Sequence, residues 1–281
     1  MLLPEKSRPF LELYHNLENP FIIDVPHAGE NCEVIQNPGW LVNPLELLMD
    51  VDRFVSDLFF QKDLASYLFI KTHRYLVDVN HDQWEIPKQV SEKERDGILR
   101  HLVVWEKNTQ MQTLRARDLS LAEKEYLKQF LYEPYHILIR DMIAEKKKKF
   151  PLVIGISAHS MPSMPTAFHE HSNGQRPEIC ISNGKNNQKT AADSVLELLY
   201  SCFAEVGFEC RKNYPYSGGF VVRQHGQPEN NIHYLQIEIR RDLYMHETSK
   251  LKKLDSYLRL KEKIQRVMSE FYKKTLEMKF E

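Results

Sequence analysis

Leu152-Val153-Ile154-Gly155-Ile156-Ser157, followed at once by Ala158-His159-Ser160-Met161-Pro162, is the stretch on which the fold turns. Its apolar residues are mostly β-branched and form a short continuous run without helical period, which predicts a strand buried on both faces. The run ends in a hydroxyl and an imidazole, so chemistry is expected at the strand's C-terminal end. Phe21-Ile22-Ile23-Asp24-Val25 is a second such run, interrupted by Asp24 and broken by Pro26, His27 and Gly29. Glu178–Ser182 and His233–Ile239 read as two more strands, and Phe220–Arg223 as a short one. Tyr67–Ile70 and Tyr75–Val79 read as a strand pair or one interrupted strand, and Leu99–Val104 as a short strand within the mixed stretch 81–119.

Helical patterns alternate with these strands. From Pro44 one helix is expected, with Leu47, Leu48, Val51, Val55, Leu58 and Phe59 on a single face. Ser120 and Glu123 have capping-box spacing and open a helix through Tyr126, Leu127, Phe130 and Leu131. Pro134 kinks it or starts a second helix to Ile143, and lysines 146–149 are expected to be a solvated helix end. A further helix is predicted over Thr190–Val206, and a C-terminal one carries Leu254, Leu258, Ile264, Val267, Met268 and Phe271. Strands covered by helices make an α/β protein, read here as a single domain over residues 1–281 without internal repeats.

Composition narrows the function. The chain has 281 residues, 38 Lys+Arg against 39 Asp+Glu, and a pI near 6.9, which removes the electrostatic case for a nucleic-acid or anionic-membrane partner. Hydrophobic residues at 42% are enough for a substantial core. No apolar run approaches the roughly 20 residues of a membrane span. Residues Met1 to Phe10 do not have the pattern of a signal peptide. Cys32, Cys180, Cys202 and Cys210 include no CxxC pair and read as free thiols, so a cytoplasmic location is expected.

Three polar clusters fall at strand ends, where open α/β sheets place their ligands. His27-Ala28-Gly29-Glu30 puts an imidazole and a carboxylate on one turn, and His159 stands at the same sheet edge. Either histidine alone reads better as a hydrogen-bonded loop residue than as a ligand. Together with Glu30 they make a His₂Glu set that leaves one zinc position open for water. In Gln236-Ile237-Glu238-Ile239-Arg240-Arg241, strand alternation points Gln236, Glu238 and Arg240 the same way. Glu238 there is either paired structurally with an arginine or acts as a general base, or a metal contact, near the metal-bound water. Asp52 falls in the apolar stripe of the helix from Pro44, and a buried aspartate needs a partner or a metal. It competes with Glu30 as the third ligand, or orients a ligand histidine. His169 and His171 read as exposed loop residues. Ser160 has no nucleophile-elbow context, and no phosphate-binding loop or GxGxxG is present.

Taken in order, the segments Val25-Pro26-His27-Ala28-Gly29, Asp50-Val51-Asp52-Arg53-Phe54, His73-Arg74-Tyr75-Leu76-Val77-Asp78-Val79-Asn80, Pro134-Tyr135-His136, His159-Ser160-Met161-Pro162, Asn213-Tyr214-Pro215-Tyr216-Ser217-Gly218-Gly219 and Gln236 to Met245 resemble the N-formylglutamate amidohydrolase family. The resemblance implies a three-layer α/β sandwich with a mixed central sheet, similar to zinc-dependent exopeptidases, and one bound zinc. It also implies hydrolysis of the amide of a small N-formyl or N-acyl acidic amino acid such as N-formylglutamate. His27 and His159 match the family's motif histidines, Asp52 its helix aspartate and Glu238 its late glutamate. Arg74, Asp78 and Asn80 match its Arg…Asp-x-Asn stretch, and Gly218-Gly219 its glycine pair. This chain has His81 where the family usually has Arg, Ser157 where it usually has Asp, and Arg240 where it usually has Asn.

These readings predict zinc held by His27, His159 and Glu30 or Asp52, with Glu238 as the general base. Arg74, Arg240 or Arg241 would clamp substrate carboxylates, a bidentate task suited to arginine. Asn80 and the turn at Gly218-Gly219 would approach the ligand closely. The alternatives are a carboxypeptidase-like or other deacylase with the same metal centre, and a non-catalytic ligand-binding descendant of the fold.

Overall fold

The computed structural model describes residues 2–87, 89–91, 98–99, 101–166, 174–185 and 188–278; His169 and His171 lie outside them. The apolar runs become the centre of a seven-stranded mixed sheet. In chain order its strands are β1 (Leu11–Tyr14), β2 (Phe21–Val25), β3 (Ser66–Ile70), β4 (Val153–Met161) and β5 (Ile179–Ser182). A two-stranded hairpin of β6 (Gly184–Lys185) and β7 (Gln188–Lys189) stands apart, before β8 (Cys210–Lys212) and β9 (Ile232–Arg240). The spatial order is β1-β3-β2-β4-β9-β5-β8. β3, β2, β4 and β9 run parallel, so their C-terminal ends share one edge; β1 and β5 run antiparallel to their neighbours β3 and β9.

Alternation along the central strands feeds two apolar layers. Ile23, Val25, Ile154, Ile156, Ile237 and Ile239 pack against α2 (Val55–Phe59), α5 (Asp193–Glu205) and α7 (Leu254–Glu277). Ile22, Val153 and Tyr234 face the other way, onto α4 (Glu133–Lys147) and α6 (Phe220–His225). A sheet with helices on both faces is the three-layer sandwich expected. Each fully buried aliphatic side chain of these layers contributes about 1.5–3 kcal/mol. In α7, Ile264, Val267, Met268 and Phe271 are buried as predicted, whereas Leu254 and Leu258 are 62% and 54% exposed.

Other expectations need correction. The stripe from Pro44 is two short helices, α1 (Pro44–Leu47) and α2, because Phe54 takes a left-handed backbone (φ 68°) between them. Asp52 therefore sits in the connecting loop. Tyr75–Val79 is turn and loop, apolar because those side chains are buried. Leu102 forms only an isolated bridge to Gln83, not a strand. Phe220–Arg223 is helical, entered through Gly219. The capping box of Ser120 and Glu123 is present at α3 (Leu121–Leu127). A π-helical stretch, Lys128–Tyr132, leads from there into α4, whose first turn holds Pro134. Lys146 is fully buried, its Nζ donating to the carbonyls of Asn16 and Asn19 at 2.6 and 2.7 Å, so that part of the lysine run is not solvated. The four cysteines are unpaired, and among the described residues no helix is long and apolar enough to cross a membrane.

Candidate metal centre and active-site cavity

The shared C-terminal edge of β2, β4 and β9 brings three clusters together. His27 follows β2 directly, His159 lies near the end of β4, and Glu238 is its register partner on β9. Asp52 reaches the same point from the loop before α2, its backbone N–H donating to His27 O at 2.9 Å. His27, Asp52 and His159 each offer a ligand atom within 4.8 Å of the others, and all three are buried.

Hydrogen bonds set the ring orientations. His27 Nε2 lies 2.8 Å from Asp78 Oδ1, so it carries the proton and leaves the Nδ1 lone pair free. Ser157 Oγ donates to Asp24 Oδ1 at 2.9 Å and lies 3.2 Å from His159 Nε2, which makes Nε2 the protonated nitrogen there too. Both free Nδ1 atoms turn inward, 3.1 Å apart, and lie 3.5 and 3.3 Å from Asp52 Oδ2. Asp52 Oδ2 is buried without a hydrogen-bond partner. Two inward lone pairs and an orphaned carboxylate oxygen are costly in a protein interior and fit a divalent cation.

The remaining Asp52 oxygen, Oδ1, accepts from Arg241 Nη2 at 2.8 Å and Ser160 Oγ at 3.0 Å. Burial works to raise the Asp52 pKa, but the adjoining His159 and His27 rings and the Arg241 charge hold it well below the ordinary range. Asp78 is likewise held low against its burial, by His27, His81 and Arg74. Glu238 shifts the other way. Burial pushes it up to about 7; His159 opposes the shift and the Asp52 charge adds to it. Gln236 Nε2 donates to Glu238 Oε1 at 2.8 Å, while Gln236 Oε1 accepts from Gly219 N at 2.7 Å.

A cavity of about 420 Å³ opens over this centre, walled by Arg74, Asn80, His81, Trp105, Gly218-Gly219 and Arg223 among others. Asn80 Oδ1 caps α6 through Val221 N at 2.8 Å, and a side chain at Gly219 would collide with the Asn80 amide. Gly218 has φ +114°, a backbone that favours glycine.

A family model described as N-formylglutamate amidohydrolase matches residues 19–245. The chain belongs to the N-formylglutamate amidohydrolase family. It is 27% identical over 239 residues to the N-formylglutamate deformylase of Pseudomonas putida, covering 84% of this chain and 85% of that one. It is also 27% identical over 235 residues to the N-formylglutamate deformylase of Pseudomonas aeruginosa, covering 81% and 83%. Among solved structures, the N-formylglutamate amidohydrolase from Ralstonia eutropha superposes with a TM-score of 0.79 at 21% identity, covering 95% of this chain and 99% of that one. A gene product of Agrobacterium tumefaciens superposes with 0.70 at 17%, covering 96% of each.

Every side chain of the centre lies within the span matched to the N-formylglutamate amidohydrolase family. Of the candidates taken from the sequence, His27, His159, Asp52, Glu238, Arg74, Asn80, Gly218, Gly219 and Arg241 all line the cavity. Glu30 does not join them. Its half-exposed carboxylate pairs with Arg53 Nε at 2.7 Å, outside the cluster of His27, Asp52 and His159. Arg240 is also turned away, donating to Asp242 Oδ1 and to Arg176 O, both at 2.7 Å. Arg74 and Arg241 reach the cavity with their charges already met by Asp78 and Asp52. Sequence reasoning missed Trp105, whose ring lies 4.5 Å from the Arg74 guanidinium and whose Nε1 donates to Asp78. It also missed the buried network of Asp24, although an aspartate interrupting an apolar strand was its signal.

Proposed function

We propose that this chain is a zinc-dependent amidohydrolase that cleaves the amide of N-formylglutamate or a closely related N-acyl acidic amino acid, releasing formate and the amino acid. The observation that carries the reading is the convergence of His27 Nδ1, His159 Nδ1 and Asp52 Oδ2 beside the buried Glu238 on the floor of one cavity. Asp52 takes the third ligand position in preference to Glu30. Zinc, when bound there, supplies Lewis acidity that makes a water acidic and polarises the substrate carbonyl.

The protein's own residues do the rest. Asp78 and the Asp24–Ser157 pair hold the two imidazoles in the tautomer that keeps Nδ1 basic. Gln236 fixes Glu238 Oε1, so Oε2 takes the proton of the attacking water and passes it to the departing amine nitrogen. The burial that works to raise the Glu238 pKa favours a carboxylate able both to take up and to release a proton. Arg241 keeps Asp52 anionic, and Arg74 with Trp105 keeps Asp78 in place.

The test pairs elemental analysis of purified protein with formate release from N-formylglutamate. One zinc per chain and turnover that chelation abolishes and zinc restores are the expected results. Turnover of peptidyl substrates alone would move the activity to a carboxypeptidase-like class. A chain that neither takes up zinc nor releases formate would be a binding protein on this fold.

A further inference from the structure

The charges around the cavity are unequally satisfied. Arg74 is tied to Asp78 by Nη2 at 2.8 Å and Nε at 3.1 Å. Arg241 is tied to Asp52 at 2.8 Å and also donates to Met49 O and Ser160 Oγ. His81 stacks on Trp105, its Nδ1 lies 2.9 Å from Leu102 O, and burial pushes its pKa down to about 4. Two lining cations differ: Arg223 on α6 and Lys185 on β6 are exposed, and neither is ion-paired among the described residues. Asp82 lies exposed on the same lining and pairs with neither.

Arg223 is also held in place. Its Nη1 donates to Gly218 O at 3.0 Å, which leaves most of the guanidinium fork free. The next residue, Gly219, donates to Gln236, and Gln236 donates to Glu238. A ligand carboxylate held by Arg223 is thereby fixed in register with the general base through Gly218-Gly219 and Gln236. The metal-ligating histidines and Glu238 are no more than 6% exposed, whereas the two free cations are exposed. The cleaved amide therefore belongs at the floor and a carboxylate at the mouth.

We infer that Arg223, assisted by Lys185, is the specificity clamp for the side-chain carboxylate of a dianionic N-acyl amino acid. The inference rests on the amide-hydrolase reading above and names the residues that select its substrate. Arg240, one of the sequence's candidates for this role, is not part of the cavity lining, and its Nε and Nη1 donate to Asp242 and to Arg176 O. Arginine suits the task because its planar fork meets a carboxylate bidentately, with lysine adding charge from the hairpin.

The experiment compares N-formyl-L-glutamate with N-formyl-L-glutamine on the zinc-loaded wild type, Arg223→Gln, Arg223→Lys and Lys185→Gln. Binding of glutarate, a non-reacting dicarboxylate, is followed by calorimetry on the same proteins. Arg223→Gln should lower kcat/KM for formylglutamate by about 10-fold or more, mostly in KM, the scale of one lost hydrogen bond to a charged group. Formylglutamine should change by less than about 5-fold. Arg223→Lys should recover part of the loss, Lys185→Gln should show a smaller one, and Arg223→Gln should weaken glutarate in step. An equal loss on both substrates, or unchanged discrimination, overturns the clamp. If the wild type cleaves neither substrate, the amide-hydrolase reading fails separately. Glutarate then decides alone: binding lost in Arg223→Gln upholds the clamp, while no binding, or equal binding to both, overturns it.

Discussion

Asp24 and Ser157 are register partners across the parallel strands β2 and β4, and the serine hydroxyl donates to the aspartate at 2.9 Å. The same oxygen lies 3.2 Å from His159 Nε2. Ser157 thus links a carboxylate on the neighbouring strand to an imidazole of the candidate metal centre. Asp24 is fully buried and also accepts from Tyr135 and Tyr234, each at 2.7 Å. Burial raises its pKa, and the hydroxyl donors pull the other way. Gly155 belongs to the arrangement, because a side chain there would overlap the Tyr234 ring.

Replacing Ser157 with Ala should cut that link and leave His159 Nε2 without its acceptor. Zinc affinity is expected to fall about 10- to 100-fold, the usual cost of losing a group that orients a ligand histidine. Competition with a chromogenic chelator measures it. Affinity equal to wild type would mean that Ser157 is only a packing residue.

Asp52 and Glu30 are separable by the same assay. Asp52→Asn should lose zinc far more than Glu30→Gln, since Asp52 Oδ2 is orphaned between two imidazoles while Glu30 is paired with Arg53 at the surface. Glu30→Gln should bind zinc within about 3-fold of wild type, as an exposed ion pair contributes little. The opposite ranking would return the ligand role to Glu30.

Glu238→Gln should keep its zinc and lower kcat at least about 10²-fold, the scale of a lost general base. KM should move little. Single-turnover formate release separates this from slow product release. Loss of zinc in the variant would instead make Glu238 a ligand.

The sequence disclosed the parts of this site that lie on long apolar strands. His159 and Glu238 could be placed because β4 and β9 read as continuous strands, and parallel strands end at one edge. Short elements were less legible. Phe220–Arg223 has four residues, too few to separate period 2 from period 3.6, so a helical turn read as a strand. That misreading hid Arg223, which belongs to the wall of the cavity only as part of α6. The Pro44–Phe59 stripe kept helical spacing across a break at Phe54, whose left-handed backbone carries no sequence signature. Pairings between distant segments, such as Glu30 with Arg53 and Arg240 with Arg176 O, follow from tertiary geometry alone.

Lys146 supplies a test of the fold independent of the site. Its ammonium is fully buried against the carbonyls of Asn16 and Asn19, and burial, with Lys149 adding, lowers its pKa from 10.5 to about 8; Glu145 opposes the shift. The folded pKa is thus below the unfolded one. Between about 8 and 10.5 the unfolded chain holds the extra proton, so raising the pH through that window favours the folded state. Below about 8 both states are protonated and this dependence vanishes. Other groups titrate in the same range, and Tyr67 and Cys210 act in the opposite sense because burial raises both to about 12. The comparison is therefore between wild type and Lys146→Met, which removes only the lysine's share. Urea unfolding at pH 7.5 and pH 10 should show the wild type gaining on the order of 1–3 kcal/mol relative to the variant. A stability difference that stays constant between the two pH values would mean that Lys146 titrates normally and is solvated, as the lysine run first suggested.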